Sequence, residues 1–162
     1  MKAFLRYSPI LLLLLIGCSK AEYATGELDG ALDTIAQQDG QMLAYIASHN
    51  LQMDRDATGM YFQIQEPGDT GRMTLESVPT LNYTRKNLQD SVLDASFGGT
   101  DFDGRKLKDH IVGWQIGLQK IGKGGKILMI IPSPLGFGKS AVGNIIPANS
   151  ILVCEVELEN YK

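Results

Sequence analysis

The chain has 162 residues, 44% apolar and 20% charged, which is room for one compact domain with a sizeable core beside a leader. Lys and Arg number 15 against 18 Asp and Glu, with no basic run interleaved with aromatics, so a nucleic-acid partner is not expected. Two Cys and two His, scattered along the chain, supply no disulfide framework, no metal-ligand spacing and no Cys/His nucleophile pair.

Lys2 and Arg6 precede an apolar run, Pro9 to Ile16, that is too short to span a bilayer but fits the apolar region of a secretory signal. The run ends in Leu15-Ile16-Gly17-Cys18, a string that looks like a bacterial lipobox, with cleavage before Cys18 and lipid added to its thiol. Residues 1–17 are therefore expected to be a lipoprotein signal peptide, and the mature chain to be held on a membrane through a lipid anchor at Cys18.

Residues 18–58 read as a tether followed by a short helical segment. Ser19 to Glu27 are small and polar. Between Leu28 and Asn50 two apolar patches, Leu28/Leu32/Ile35 and Met42/Leu43/Ile46, are separated by Gln37-Gln38-Asp39-Gly40. That spacing predicts one or two short helices, with Asp39 as an N-cap and Asn50 in a left-handed C-terminal position. Residues 59–76 form a leading strand and turn. Met60, Phe62 and Ile64 alternate with Tyr61, Gln63 and Gln65, and Glu66-Pro67-Gly68-Asp69-Thr70-Gly71 breaks the pattern.

Further strands are expected at Thr80 to Thr84 and around Val92-Leu93-Asp94, with a bend at Gly98-Gly99. In Asp109 to Leu118, Ile111, Trp114 and Leu118 share one helical face, which reads as a core helix packed on a sheet. Trp114 is the sole Trp. Lys126 to Ile131 is a nearly continuous apolar strand ended by Pro132. Ile151 to Leu158 alternates, with Leu152, Cys154, Val156 and Leu158 inward and Glu155 and Glu157 outward, so Cys154 reads as a small buried hydrophobe. Strands in this number around one central helix predict an α+β domain with a largely antiparallel sheet.

The string Gly136-Phe137-Gly138-Lys139-Ser140 invites a phosphate-loop reading. The Walker pattern requires Gly where Ser133 stands, and Pro147 denies the following segment the helix that would hold phosphates, so no nucleotide is expected.

Taken in order, Asn82-Tyr83-Thr84, Val92-Leu93-Asp94-Ala95-Ser96, Ile111-Val112-Gly113-Trp114, Gly136-Phe137-Gly138, Ile145-Ile146-Pro147 and Leu152-Val153-Cys154-Glu155-Val156-Glu157-Leu158 resemble the FKBP-type peptidyl-prolyl cis/trans isomerases. The resemblance covers residues 77–162, and the lipobox with a short helical segment is similar to lipoprotein members from gram-negative bacteria. It implies an antiparallel β-sheet half-wrapped around one short α-helix, preceded by a short helical segment, with a pocket for proline between helix and sheet. It also implies a cell-envelope location, lipid-anchored on the outer membrane and facing the periplasm.

Carried over by position, the resemblance assigns Asp94, Tyr83 and Phe137 to catalysis. Substrate-binding positions are Trp114, Ile111, Ile146, Ile145, Phe102, His110, Leu93 and Cys154. Leu93 and Cys154 stand where aromatics are usual, and Phe137 replaces a hydroxyl-bearing Tyr. These replacements are expected to widen the pocket and remove a polar handle.

The implied reaction needs no cofactor and no metal. Rotation about an Xaa-Pro bond faces a barrier of about 20 kcal/mol because the planar amide is resonance stabilised. The twisted amide has a less polar carbonyl than the planar one, so an apolar pocket favours it over water. One face of the Trp114 ring is expected to stay open to a prolyl guest. The implied partners are proline-containing polypeptides, and the implied function is to assist the folding of exported proteins. The alternative is a proline-segment binding or chaperone module of an envelope assembly without catalysis.

Overall fold

A computed structural model describes residues 19–162, with side chains from Glu27 onward; the signal segment and Cys18 lie outside the described residues. The strands are β1 (Asp54–Arg55), β2 (Tyr61–Glu66), β3 (Pro79–Lys86), β4 (Val92–Ala95), β5 (Gly125–Ile131) and β6 (Leu152–Tyr161). They form one sheet in the order β1-β2-β5-β6-β3-β4, every pair antiparallel. The leading strand β2 is thus part of the same sheet as the strands after residue 77. The helices are α1 (Ser19–Ser48) and α2 (Val112–Leu118).

Strand alternation sorts side chains onto two faces. On β3, Leu81, Tyr83 and Arg85 are buried and point to the face that α2 covers. On β6, Leu152, Cys154, Val156 and Leu158 join that same core while Glu155 is exposed. Helix α2 reaches the sheet closely because Gly113 and Gly117 face it. A Cβ on Gly113 would stand 2.6 Å from Ile131 Cγ2, and one on Gly117 would meet Met129 Sδ. Trp114 and Leu118 then sink into the core, at 1% and 0% exposure.

The N-terminal segment differs from expectation. It is one 30-residue helix, with no break at Gln37-Gln38-Asp39-Gly40, and Asp39 is interior to it rather than a cap. The polar residues that resembled a break are used in tertiary contacts. Asp39 accepts from Arg55 Nε (3.2 Å) and from the Tyr61 hydroxyl (3.0 Å), and Gln38 is buried against the loop after β5. Helix continuity here comes from packing, since Met42 and Tyr45 cover Tyr61, Leu128, Ile130 and Val153 on the second face of the sheet. Asn50 takes the left-handed conformation expected of it, at φ 52°. Among the described residues, no helix is long and apolar enough to cross a membrane.

The end of α1 is latched to the turn between β3 and β4. The Tyr45 hydroxyl donates to Asp90 Oδ1 (2.7 Å), His49 Nε2 lies 3.0 Å from Asp90 Oδ2, and His49 Nδ1 lies 2.9 Å from the Tyr45 carbonyl. Both ring nitrogens face acceptors, so the protonated form is favoured. The Tyr45 carbonyl first, then Asp90, raise the pKa of His49 above its ordinary 6.5, while Tyr45 and His49 hold Asp90 below the usual carboxylate range. The His49 contribution is fully present below pH 6.5 and is lost as pH rises through the elevated folded value; the Asp90 contribution is lost as pH falls through its depressed one. The melting temperature of the wild type should therefore fall between about pH 6 and pH 8 by more than that of His49→Gln. Parallel curves for the two proteins would show the latch carries no pH-dependent stability.

Candidate active site

Between α2, β3, β4 and the loops after β4 and β5 lies a cavity of about 230 Å³ lined by Tyr83, Arg85, Asp94, Phe102, Arg105, Asp109, His110, Ile111, Trp114 and Phe137. Its floor is aromatic. Tyr83 meets Trp114 edge-on at 5.0 Å between ring centroids, Phe102 lies 5.9 Å from Trp114 and 5.6 Å from Tyr83, and His110 lies 4.9 Å from Phe102. Phe102 reaches this position from a left-handed backbone, at φ 53°, a conformation a bulky residue rarely adopts. His110 closes the 3-10 turn Leu107–Asp109 just before α2, and burial lowers its pKa, so the ring is neutral near pH 7.

The polar wall is Asp94 on the edge strand β4. Asp94 Oδ2 accepts from the Tyr83 hydroxyl (3.1 Å) and from Arg85 Nη1 (3.1 Å). Burial, and next the Asp94 charge, push the Tyr83 phenol up, so it stays a hydrogen-bond donor. Four buried polar side-chain atoms lack a hydrogen-bond partner among the described residues: Arg85 Nε, Asp94 Oδ1, His110 Nε2 and Trp114 Nε1. All four belong to this cavity. Unmet groups of this kind each cost about 1–3 kcal/mol in a sealed core, and their concentration in one cavity marks a site that receives a guest or water.

The family model described as FKBP-type peptidyl-prolyl cis-trans isomerase matches residues 71–159. The chain belongs to that family. It is similar to the isomerase FkpA of Buchnera aphidicola from Schizaphis graminum, with 35% identity over 111 residues that cover 68% of this chain and 44% of that protein. FkpA of Escherichia coli is 35% identical over 106 residues, 65% of this chain and 39% of that one. The chain thus spans less than half the length of these curated relatives. The crystal structure of E. coli FkpA superposes with a TM-score of 0.68 at 28% identity, covering 88% of this chain and 68% of that one. A peptidyl-prolyl cis-trans isomerase from Pseudomonas syringae shares the fold at a TM-score of 0.65 and 22% identity, over 83% of this chain and 95% of that one.

Within this FKBP-type domain, Asp94, Tyr83, Phe137, Trp114, Ile111, Phe102 and His110 converge on the cavity. Four positions do not line it. Ile146 (2% exposed) and Cys154 (0%) are buried in the core behind it, Leu93 packs against that core, and Ile145 is exposed on its loop. Burial pushes the Cys154 thiol up, which keeps it an inert wall beside Trp114 and Arg85.

The cavity also holds Arg85, whose guanidinium carbon stands 4.9 Å from the Trp114 ring, 5.4 Å from Tyr83 and 5.3 Å from Phe137. Trp114 does not keep the open face expected of it, since it is 1% exposed beneath that guanidinium. Arg85 was not among the sequence candidates. The signal was the strand alternation itself, which puts Arg85 on the face of Leu81 and Tyr83; a charged residue near a strand end is ordinarily assigned to solvent.

Proposed function

We propose that the chain is a peptidyl-prolyl cis/trans isomerase acting on proline-containing segments of exported proteins. Family membership carries this reading, and the aromatic cavity over Trp114 supports it. In this reading the prolyl ring lies on Trp114 between Tyr83, Phe102 and Phe137, and Ile111 at the start of α2 borders it. Asp94, with Tyr83, faces the carbonyl as it turns out of the amide plane. No bond is broken, so the residues act by shape, by exclusion of water and by differential solvation of the planar and twisted amides. A barrier lowered by about 4 kcal/mol would give roughly a thousandfold acceleration.

The proposal extends to location. Residues 1–17 are a signal peptide and Cys18 carries lipid, which places the domain in the cell envelope on the outer membrane, facing the periplasm. Residues 18–58 connect the anchor to the domain of residues 77–162, with 59–76 adding its leading strand. Cys18→Ser is expected to abolish incorporation of labelled fatty acid; a product still labelled would remove the lipoprotein reading.

The deciding experiment follows cis-to-trans conversion of short Xaa-Pro peptides by the full chain. Acceleration above the spontaneous rate supports the isomerase. Binding of the same peptides with only the spontaneous rate would establish the second reading, a non-catalytic proline-segment module, which Phe137 favours because it brings no hydroxyl to the cavity.

A further inference from the structure

We infer that Arg85 is a specificity-determining plug of the proline seat: its guanidinium occupies the place over Trp114 that a prolyl ring would take, so the free protein is closed and a guest must displace it. The inference rests on the isomerase reading for the identity of the guest, but the plug itself rests on geometry. Arg85 is 6% exposed and lies among the three rings of Trp114, Tyr83 and Phe137, held at one end by Asp94 Oδ2 at 3.1 Å. A guanidinium over aromatic faces beside a carboxylate is a favourable seat for that group. A prolyl ring cannot stack on an indole that is 1% exposed.

The plug is nonetheless only partly satisfied. Among the described residues Arg85 Nε and Asp94 Oδ1 lack a hydrogen-bond partner, and the backbone register between β3 and β4 is irregular at Arg85/Lys86, where the side chain is mounted. These features lower the cost of moving the guanidinium off Trp114, in a cavity of about 230 Å³ that Arg105 and Asp109 also line. Because a ligand's apparent affinity scales with the fraction of molecules in the open state, a seat open in about one molecule in ten binds about tenfold more weakly than a permanently open one. Arg85 would then select guests that bind strongly enough to displace it.

Trp114, being the sole Trp, reports the plug directly. Acrylamide quenching of its fluorescence and titration with a short Leu-Pro peptide should be measured on the full chain for wild type, Arg85→Ala and Arg85→Lys, with near-ultraviolet circular dichroism as the check on folding. Arg85→Ala is expected to expose Trp114 to acrylamide and to bind the peptide about tenfold or more tightly. Arg85→Lys keeps the charge beside Asp94 but loses the planar group over the rings. It should fall between the other two, and it carries the test if the Ala variant does not fold. Unchanged quenching in the folded variants overturns the plug. Increased quenching with weaker peptide binding also overturns it, making Arg85 a contact for the guest instead. Increased quenching with no peptide binding or catalysis by any of the three proteins leaves the plug standing and removes the isomerase reading.

Discussion

Replacing Trp114 with Ala is expected to cost about 3–5 kcal/mol of folding stability, read as a lower urea midpoint followed by far-ultraviolet circular dichroism. The indole is among the largest fully buried side chains, and it is surrounded by Tyr83, Phe102, His110 and the Arg85 guanidinium. Its removal leaves a void that α2 cannot close, because the helix already touches β5 through Gly113 and Gly117. Trp114→Phe should cost less than half as much, since an aromatic ring remains in contact with its neighbours. Under the isomerase reading, Trp114→Ala should also reduce kcat/KM by more than about tenfold, a loss of 1.4 kcal/mol or more of transition-state stabilisation. A destabilisation below about 1 kcal/mol would show that the ring is not the keystone of this core.

The second large effect is remote from the cavity. Gln38 of α1 closes a ring of hydrogen bonds with the loop that carries Phe137. Ser133 N–H donates to Gln38 Oε1 (2.8 Å), Gly138 N–H to the Ser133 carbonyl (2.8 Å), Asn149 N–H to the Gly138 carbonyl (2.7 Å), and Gln38 Nε2 to the Asn149 carbonyl (3.0 Å). Gln38 Nε2 also donates to Ser133 Oγ at 3.0 Å. Gln38→Ala leaves the buried Ser133 N–H unpaired and removes the bond to the Asn149 carbonyl, and should cost about 1–3 kcal/mol. Because Phe137 sits directly before Gly138, the variant should also raise KM for proline peptides more than it lowers kcat. Gln38→Glu retains the acceptor for Ser133 and should recover part of the loss. An unaltered KM in the Ala variant would mean the loop holds Phe137 without help from α1.

These two predictions divide along what the sequence discloses. Trp114 was legible because helical spacing places Ile111, Trp114 and Leu118 together, and the sheet because alternation and the breaks at Pro67-Gly68 and Pro132 are local signals. The cavity-lining set was legible largely through family resemblance, since Tyr83, Asp94 and Phe102 come from separate strands and loops whose convergence no local pattern encodes. Gln38 was illegible: a Gln beside Asp39 and Gly40 reads as an interruption, and its partners lie 95 and 111 residues away. Val153 shares the face of Glu155 on β6, and α1 covers it there, a contact that strand alternation does not disclose. Arg85 lies one residue beyond the strand expected at Thr80 to Thr84, whereas β3 continues through it to Lys86 and so carries it onto the face of Leu81 and Tyr83.

The position of β4 in the sheet has a mechanical consequence. Strands β5 and β6 are walls of both cores, covered by α2 on one side and by α1 on the other, so their amides are expected to be the slowest of the sheet to exchange with solvent. Strand β4 has four residues, pairs only with β3, and leaves Val92 exposed. It opens first. The indole of Trp114 is therefore mounted on a helix packed against a doubly covered strand and the carboxylate of Asp94 on a short edge strand, so the cavity is expected to adapt to its contents from the polar side.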